Sequence, residues 1–328
     1  MNARVVFMGS PDFALPTLEE LHKHTQVVGV VTQPDRPAGR GRLLMPCPVR
    51  QLAEKLEIPV FQPLSLRKPD ALEQLSAWQP DLIVVAAFGQ ILPKNVLALP
   101  PKGCLNVHAS LLPRWRGAAP IQAAIRAGDR CTGITTMIMD AGLDSGPILL
   151  QDSIPIDPAE TGQSLHDKLA PLGAQLLVHT LEWLLGGSIA PHPQPDNPAL
   201  ITHAPQLRRE DGALDWTASA IVIDRHVRAF TPWPGTFTAW NGRRLKVLTG
   251  FPSTASLGLA PGLVGTRRTG RSVRLVDACD RRLLFLAQLQ AGGLCHAGSA
   301  ATVCLDRPVA AGQSTQACAA GRGGLCSR

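Results

Sequence analysis

Short apolar runs alternate with helical patterns through the first 190 residues. The runs predict strands, and they lie at Arg4–Met8, Gln26–Thr32, Leu82–Ala87, Gly103–Val107 and Gly133–Met139. The patterns between them predict helices, for example Leu15–His24, Arg50–Leu56 and Ala118–Ala127. Strands that alternate with helices form mostly parallel sheets, and runs such as LIVVAA have no polar face. We therefore predict an α/β domain, a Rossmann-like sheet with helices on both faces.

The pattern changes after residue 185. Thr161 to Leu185 predicts a long helix with Pro171 inside it, and Gly186 and Gly187 end it. A proline-rich stretch without periodicity follows, which we interpret as a linker over residues 190–205. Beyond it, short alternating segments such as TFTAW and RRLKVLTG predict a small β-barrel over residues 206–292. Residues 293–328 are rich in Gly, Ala and Cys and predict no element.

The same two parts of the chain also differ in net charge. Residues 1–200 hold 16 Lys and Arg against 18 Asp and Glu, a net charge of −2. Residues 201–328 hold 16 against 7, a net charge of +9. A basic second part favours a polyanionic partner for that part of the chain, with catalysis in the first.

Composition narrows the class of protein. No apolar run is long enough to cross a membrane, and MNARVVFMGS lacks the basic start and apolar core of a secretion signal. We therefore expect a cytoplasmic protein without a membrane partner. The eight cysteines include no C-x-x-C pair, so we expect reduced thiols, no disulfides and no bound metal.

Two polar clusters could carry chemistry. Asn106 and His108 lie two positions apart at the end of a predicted strand, so both side chains project from one face. Asp144 lies in a polar cluster after the next predicted strand, and it would meet His108 if the two strands are neighbours. A histidine base, an amide donor for a developing oxyanion and a carboxylate suit acyl transfer to an amine.

The spacing alone also permits a purely structural interpretation of these residues. In that interpretation Asn106 caps a turn, His108 packs in the core and Asp144 makes an Asx turn beside Gly142.

A loop at residues 34–42, the arginine loop, carries Arg36, Arg40 and Arg42 on a Pro/Gly backbone. It fits a clamp for nucleic-acid phosphates and a solvated surface loop equally well.

Several long motifs resemble those of the 10-formyltetrahydrofolate-dependent formyltransferases. They are FMGSPDFALPTL (7–18), TQPDRPAGRGRLLMPCPVR (32–50), VVAAFGQILP (84–93), NVHASLLPRWRGAAPIQ (106–122), GLDSGPIL (142–149) and RAFTPWPG (228–235). The arginine loop resembles an insertion of the branch that acts on initiator methionyl-tRNA. The resemblance covers most of residues 4–250 and fades after residue 292.

The resemblance implies a role for each matching residue. Asn106, His108 and Asp144 match the catalytic residues, with His108 as general base, Asn106 as oxyanion donor and Asp144 as the group that orients His108 and stabilises its charge. Residues matching the binding site of the formyl donor, 10-formyltetrahydrofolate, are Ser110, Leu111, Leu112, Pro113, Phe88, Gly89, Gln90 and Ile91. Residues expected to contact tRNA are Arg36, Arg40, Arg42, Arg208 and Arg209.

The resemblance also assigns the domains and leaves rival functions to separate. Residues 1–189 would be the catalytic domain and residues 206–292 an OB-like tRNA-binding barrel, with the protein acting as a monomer. One alternative is a related formyltransferase that acts on a small amine, such as an amino-sugar nucleotide or a purine precursor. Another is a non-catalytic RNA-binding protein on the same scaffold.

Overall fold

The computed structural model describes residues 1–38, 43–240, 243–253, 263–269, 271–277, 284–291 and 303–304. The chain divides into two compact units. The first contains Met1–Gly212 and Arg225–Thr236, and the second contains Ala213–Asp224 and Phe237–Arg328. The predicted linker at residues 190–205 therefore lies within the first unit. The domain boundaries at residues 189 and 206 remain predictions.

A seven-stranded sheet forms the centre of the first unit. The strands of this unit are β1 (Arg4–Gly9), β2 (Gln26–Val31), β3 (Arg36–Ala38), β4 (Leu43–Met45), β5 (Val60–Phe61), β6 (Leu82–Ala86), β7 (Cys104–His108), β8 (Arg116–Gly117), β9 (Cys131–Ile138), β10 (Ile148–Pro155) and β11 (His203–Ala204). The central sheet has the order β10-β9-β7-β6-β1-β2-β5. β7, β6, β1, β2 and β5 are parallel, and β9 and β10 each run antiparallel to their neighbour. The predicted mostly parallel sheet is confirmed.

Helices cover both faces of this sheet. The helices of the first unit are α1 (Leu15–His24), α2 (Pro48–Lys55), α3 (Pro69–Ala77), α4 (Lys94–Leu97), α5 (Pro120–Ala127) and α6 (Gly162–Leu185). A further helix, α7 (Ala220–Ala229), has residues in both units. Successive strand residues face opposite sides of a sheet. Val5 and Phe7 of β1 accordingly join one hydrophobic cluster with residues of α1, α2, α5 and α6. Val6 and Met8 join the other cluster, with residues of α3 and α4.

The second unit contains a six-stranded sheet. Its strands are β12 (Thr236–Trp240), β13 (Arg243–Ser253), β14 (Leu263–Thr269), β15 (Arg271–Asp277), β16 (Leu284–Ala291) and β17 (Val303–Cys304). They have the order β12-β13-β16-β15-β14-β17, and the pairs from β13 to β17 are antiparallel. Trp216 is fully buried in this unit, where its indole N–H donates to Thr238 Oγ1 at 2.9 Å.

Two further findings concern the described part of the chain. None of its helices is both long and apolar enough to cross a membrane. Cys47, Cys104 and Cys131 are free thiols.

Candidate active site

Asn106 and His108 lie at the carboxyl end of β7, where both side chains are buried. They are two positions apart and therefore share one face of the strand. Their strand is flanked by β6 on one side and β9 on the other, with His108 opposite Thr135 in the β9 register. The predicted neighbouring strands are thus adjacent in the sheet.

Asp144 joins these residues from the loop between β9 and β10. Its Oδ1 accepts a hydrogen bond from Asn106 Nδ2 at 3.2 Å, and its Oδ2 accepts one from the Gly117 N–H at 2.8 Å. His108 Nδ1 lies 3.7 Å from Asp144 Oδ2. The three side chains that the sequence singled out therefore converge, although the histidine and the carboxylate are too far apart for a direct hydrogen bond.

A backbone carbonyl holds the other nitrogen of His108. His108 Nε2 lies 2.9 Å from the Trp115 carbonyl oxygen, which can only accept a hydrogen bond. The neutral imidazole therefore carries its proton on Nε2 and leaves Nδ1 free toward Asp144. Trp115 has a φ of +62°, and its N–H donates to Thr202 Oγ1 at 2.9 Å. This contact cannot be predicted from the sequence, because a carbonyl group is common to every residue type.

The segment predicted as a linker contacts the candidate site. We call residues 192–204 the strap. His192 pairs with Ile148 at the start of β10, and the Gln194 amide donates to the carbonyls of Asp144 and Gly146. The end of the strap forms β11, which runs parallel to β8. The sequence does not predict these contacts, because the strap has no periodicity and is rich in proline.

Two loops that follow β7 and β6 contain the residues predicted to bind the formyl donor. After β7, Ser110 is buried and its hydroxyl donates to the Arg114 carbonyl at 2.6 Å. Leu112 is also buried, and Leu111 and Pro113 are half-buried. After β6, Phe88 packs in the core and Gly89 has a φ of +80°.

In the rest of the loop after β6, the side chain of Gln90 makes hydrogen bonds within the protein and that of Ile91 is exposed. The Gln90 side chain accepts from Leu66 N at 3.2 Å and donates to the Pro63 carbonyl at 3.1 Å. Ile91 remains 76% exposed. Because β6 and β7 are parallel neighbours, both loops leave the same edge of the sheet.

The arginines predicted to contact tRNA occupy exposed positions where the structure describes them. Arg36, Arg208 and Arg209 are exposed. Arg36 lies at the start of β3, where it approaches Gln33 Oε1 at 3.4 Å. Arg40 and Arg42 lie outside the described residues.

Two observations concern possible metal ligands and the Cys104 thiol in the described part of the chain. The described residues contain no group of three or more His, Cys, Asp or Glu side chains that could hold a metal ion. Burial raises the pKa of the Cys104 thiol to about 12. Cys104 therefore stays protonated at the start of β7 and is a poor nucleophile.

Solved structures share this fold. An N-formyltransferase from Helicobacter canadensis, in complex with folinic acid and dTDP-3-aminofucose, superposes with a TM-score of 0.63 at 15% identity, covering 88% of this chain and 100% of that one. HypX from Aquifex aeolicus, in complex with tetrahydrofolic acid, has a TM-score of 0.59 at 18% identity, covering 89% of this chain and 45% of that one. At these identities the likeness shows the fold alone.

Sequence similarity is much closer to one kind of enzyme. Residues 3–181 match the formyl transferase family, and residues 206–298 match the formyl transferase C-terminal domain. The methionyl-tRNA formyltransferase of Trichlorobacter lovleyi is 48% identical over 291 residues, which is 88% of this chain and 90% of that protein. That of Marinobacter nauticus is 49% identical over 292 residues, or 88% and 92% of the two chains. The chain therefore belongs to the methionyl-tRNA formyltransferases of the formyl transferase family.

Proposed function

We propose that this chain transfers the formyl group of 10-formyltetrahydrofolate to the α-amine of methionine on initiator tRNA, with Asn106, His108 and Asp144 as its catalytic residues. The observation that carries the proposal is the convergence of these three side chains from two separate segments of the chain. The α-nitrogen bonds to the formyl carbon, the bond from that carbon to N10 of the folate breaks, and the proton lost by the amine replaces the formyl group on N10.

His108 is the group that takes up the amine proton. Its Nε2–H is held by the Trp115 carbonyl, so Nδ1 is the nitrogen with a free lone pair. Protonation at Nδ1 places the positive charge 3.7 Å from Asp144 Oδ2. The carboxylate therefore stabilises the charged imidazole, while the ring orientation comes from the Trp115 carbonyl.

Asn106 donates to the carbonyl oxygen of the formyl group as negative charge develops there. The amide nitrogen carries two hydrogens, and one of them is used in the bond to Asp144 Oδ1. The second hydrogen is left for the oxyanion. Because the Asp144 bond fixes the plane of the amide, the donor is already oriented before the charge appears, which is the condition for effective oxyanion stabilisation.

The two loops after β6 and β7 fit the folate donor. A pterin is a flat heteroaromatic ring system with hydrogen-bonding groups around its edge, so it needs apolar surface for its faces and backbone hydrogen-bonding groups for its edge. The apolar side chains of Ile91 and Leu143 are 76% and 61% exposed beside the strand ends. The side chains of Ser110, Leu112 and Phe88 are buried, so we propose that these residues fix the shape of the two loops that bind the donor.

Exposed basic residues support tRNA as the carrier of the acceptor amine. Arg36, Arg208 and Arg209 present positive charge to solvent, and phosphate neutralisation supplies most non-specific affinity for nucleic acids. We extend the same role to Arg40 and Arg42 of the arginine loop. We also propose that residues 206–292, with their antiparallel strands, close into an OB-like barrel that binds tRNA.

Transfer assays with charged initiator tRNA test the assignment of His108. We expect His108→Ala to lower kcat by about 100-fold to 10,000-fold, the range for loss of a general base. His179 is exposed on α6 and serves as a matched control, so His179→Ala should keep full activity. Full activity of His108→Ala, in a preparation free of native enzyme, would disprove the assignment.

A second experiment compares acceptor substrates and distinguishes the possible functions. With 10-formyltetrahydrofolate as donor, formyl-methionine should form on charged tRNA at a kcat/KM far above that for a free amino-sugar nucleotide. The reverse ratio would favour a small-amine formyltransferase. Binding of tRNA without transfer to either acceptor would indicate a non-catalytic RNA-binding protein.

A further inference from the structure

Gln194 of the strap connects the backbone around Asp144 with Arg116. Its Nε2 donates to the carbonyl of Asp144 at 2.8 Å and to the carbonyl of Gly146 at 2.9 Å. Its Oε1 accepts from Arg116 Nε at 3.1 Å and from a terminal nitrogen of the same guanidinium at 2.6 Å. One half-buried amide thus makes four hydrogen bonds.

The chemistry of the partners permits one orientation of this amide. A guanidinium can only donate hydrogen bonds and a carbonyl can only accept them, so Oε1 must face Arg116 and Nε2 must face the two carbonyls. A carboxylate at this position would keep the pair with Arg116 but would oppose two carbonyl oxygens. An apolar side chain of similar length would lose all four bonds.

These bonds close a ring around Asp144. Gly117, the neighbour of Arg116, donates its N–H to the Asp144 carboxylate, while Arg116 holds Gln194 on the carbonyl of the same aspartate. Asp144 has a φ of +49°, a left-handed conformation that an aspartate adopts at a cost. The ring fixes both ends of Asp144, its carboxylate and its following peptide.

We infer that Gln194 is a positioning residue for formyl transfer, which holds the Asp144 carboxylate toward His108. The inference rests on the proposed function, since it needs Asp144 to act in transfer. Gln194 reaches the backbone of Asp144 and Gly146 and acts on the reaction through them. Its loss should therefore slow the chemical step and leave substrate binding nearly unchanged.

Single-turnover transfer with charged initiator tRNA and 10-formyltetrahydrofolate tests the inference. We expect Gln194→Met and Gln194→Glu each to lower the rate by about 10-fold to 100-fold, the effect of a displacement near 1 Å at a catalytic group. In steady-state assays of the same variants, KM for both substrates should stay within about twofold of the native value. Asn197→Ala is the matched control and should keep the native rate, since Asn197 lies in the strap and its side chain accepts a local hydrogen bond from Ala199 N.

The same substitutions in an Asp144→Asn background give a readout that a general structural role would not produce. If Gln194 acts through the Asp144 carboxylate, Gln194→Met should lower the rate of the Asp144→Asn enzyme by less than about twofold, because coupled residues are not additive. An equal loss in both backgrounds overturns the inference. Gln194→Glu, which keeps the pair with Arg116, makes the same test if Gln194→Met does not fold.

The outcomes also distinguish the inference from the proposed function. Low activity of His108→Ala and Asp144→Asn with a native rate for both Gln194 variants overturns the inference alone. Full activity of Asp144→Asn removes the carboxylate from the reaction and overturns both.

Discussion

Thr135 on β9 holds the loop that follows β7. Its hydroxyl donates to the Ser110 carbonyl at 2.7 Å, and it accepts from Leu112 N at 3.1 Å and from Gln151 Nε2 at 2.8 Å. Thr135 is fully buried. Thr135→Val removes these three bonds and leaves a side chain of nearly the same shape, so the substitution tests the hydroxyl itself.

The expected magnitude follows from which partners remain buried. Gln151 is exposed and can turn its amide to water, but the bonds to Ser110 O and Leu112 N are buried. A buried polar group left without a partner costs about 1–3 kcal/mol. Two such groups, with some relaxation of the loop, predict a loss of about 2–4 kcal/mol in the free energy of unfolding.

Urea unfolding of the native protein, Thr135→Val and Thr135→Ser measures this loss. Thr135→Ser keeps the hydroxyl and removes one methyl group, which costs about 1 kcal/mol. Thr135→Val should also raise KM for the formyl donor, because the loop it releases is the proposed donor site. If the valine variant proves as stable as the serine variant, the hydroxyl does not hold the loop and the reasoning is wrong.

Two further predictions concern strain and pH. A Cβ on Gly117, whose φ is +117°, would lie 2.6 Å from the Ala204 carbonyl oxygen, so Gly117→Ala should cost about 2–4 kcal/mol in urea unfolding. Gly187→Ala, at a φ of +72° with open space around it, should cost only about 1 kcal/mol, and equal losses would refute the clash. Burial, with Arg126 nearby, lowers the pKa of His226 to about 4, so the unfolded chain binds this proton first as pH falls below about 6.5. The native protein should therefore lose about 2 kcal/mol more than His226→Phe between pH 7 and pH 5, and parallel curves for the two proteins would contradict this assignment.

The sequence predicts the centre of the sheet better than its edge. The predicted helix Leu15–His24 has the observed bounds, and the predicted strand Leu82–Ala87 differs from β6 by one residue. Buried elements show a continuous or periodic apolar pattern, which is why they can be recognised. β10 lies at the edge of the sheet beside β9, and half of its residues are exposed. Its polar segment QDS (151–153) carries no such pattern, so the sequence does not predict this strand.

In the site, the sequence predicts the residues that act through their side chains at strand ends, but not the contacts that depend on the backbone or on distant parts of the chain. Asn106 and His108 could be singled out because they alternate at a strand end, and Asp144 because it follows the next strand. The Trp115 carbonyl could not be singled out, because its role depends on the direction of a backbone group and not on the type of residue. Nor could Gln194, whose partners Asp144 and Gly146 are about 50 positions away in the chain.

Backbone strain explains why the strap has to be part of the site. Among the described residues other than glycine, five have positive φ, and two of them are Trp115 and Asp144. Such conformations cost about 1–3 kcal/mol each and persist only where the surroundings hold them. The strap provides a hydrogen-bond partner for each: Thr202 Oγ1 accepts from the Trp115 N–H, and Gln194 Nε2 donates to the Asp144 carbonyl. The direction of the His108 ring and the place of the carboxylate beside it are therefore set partly by residues that follow α6, so the sheet alone does not specify the site.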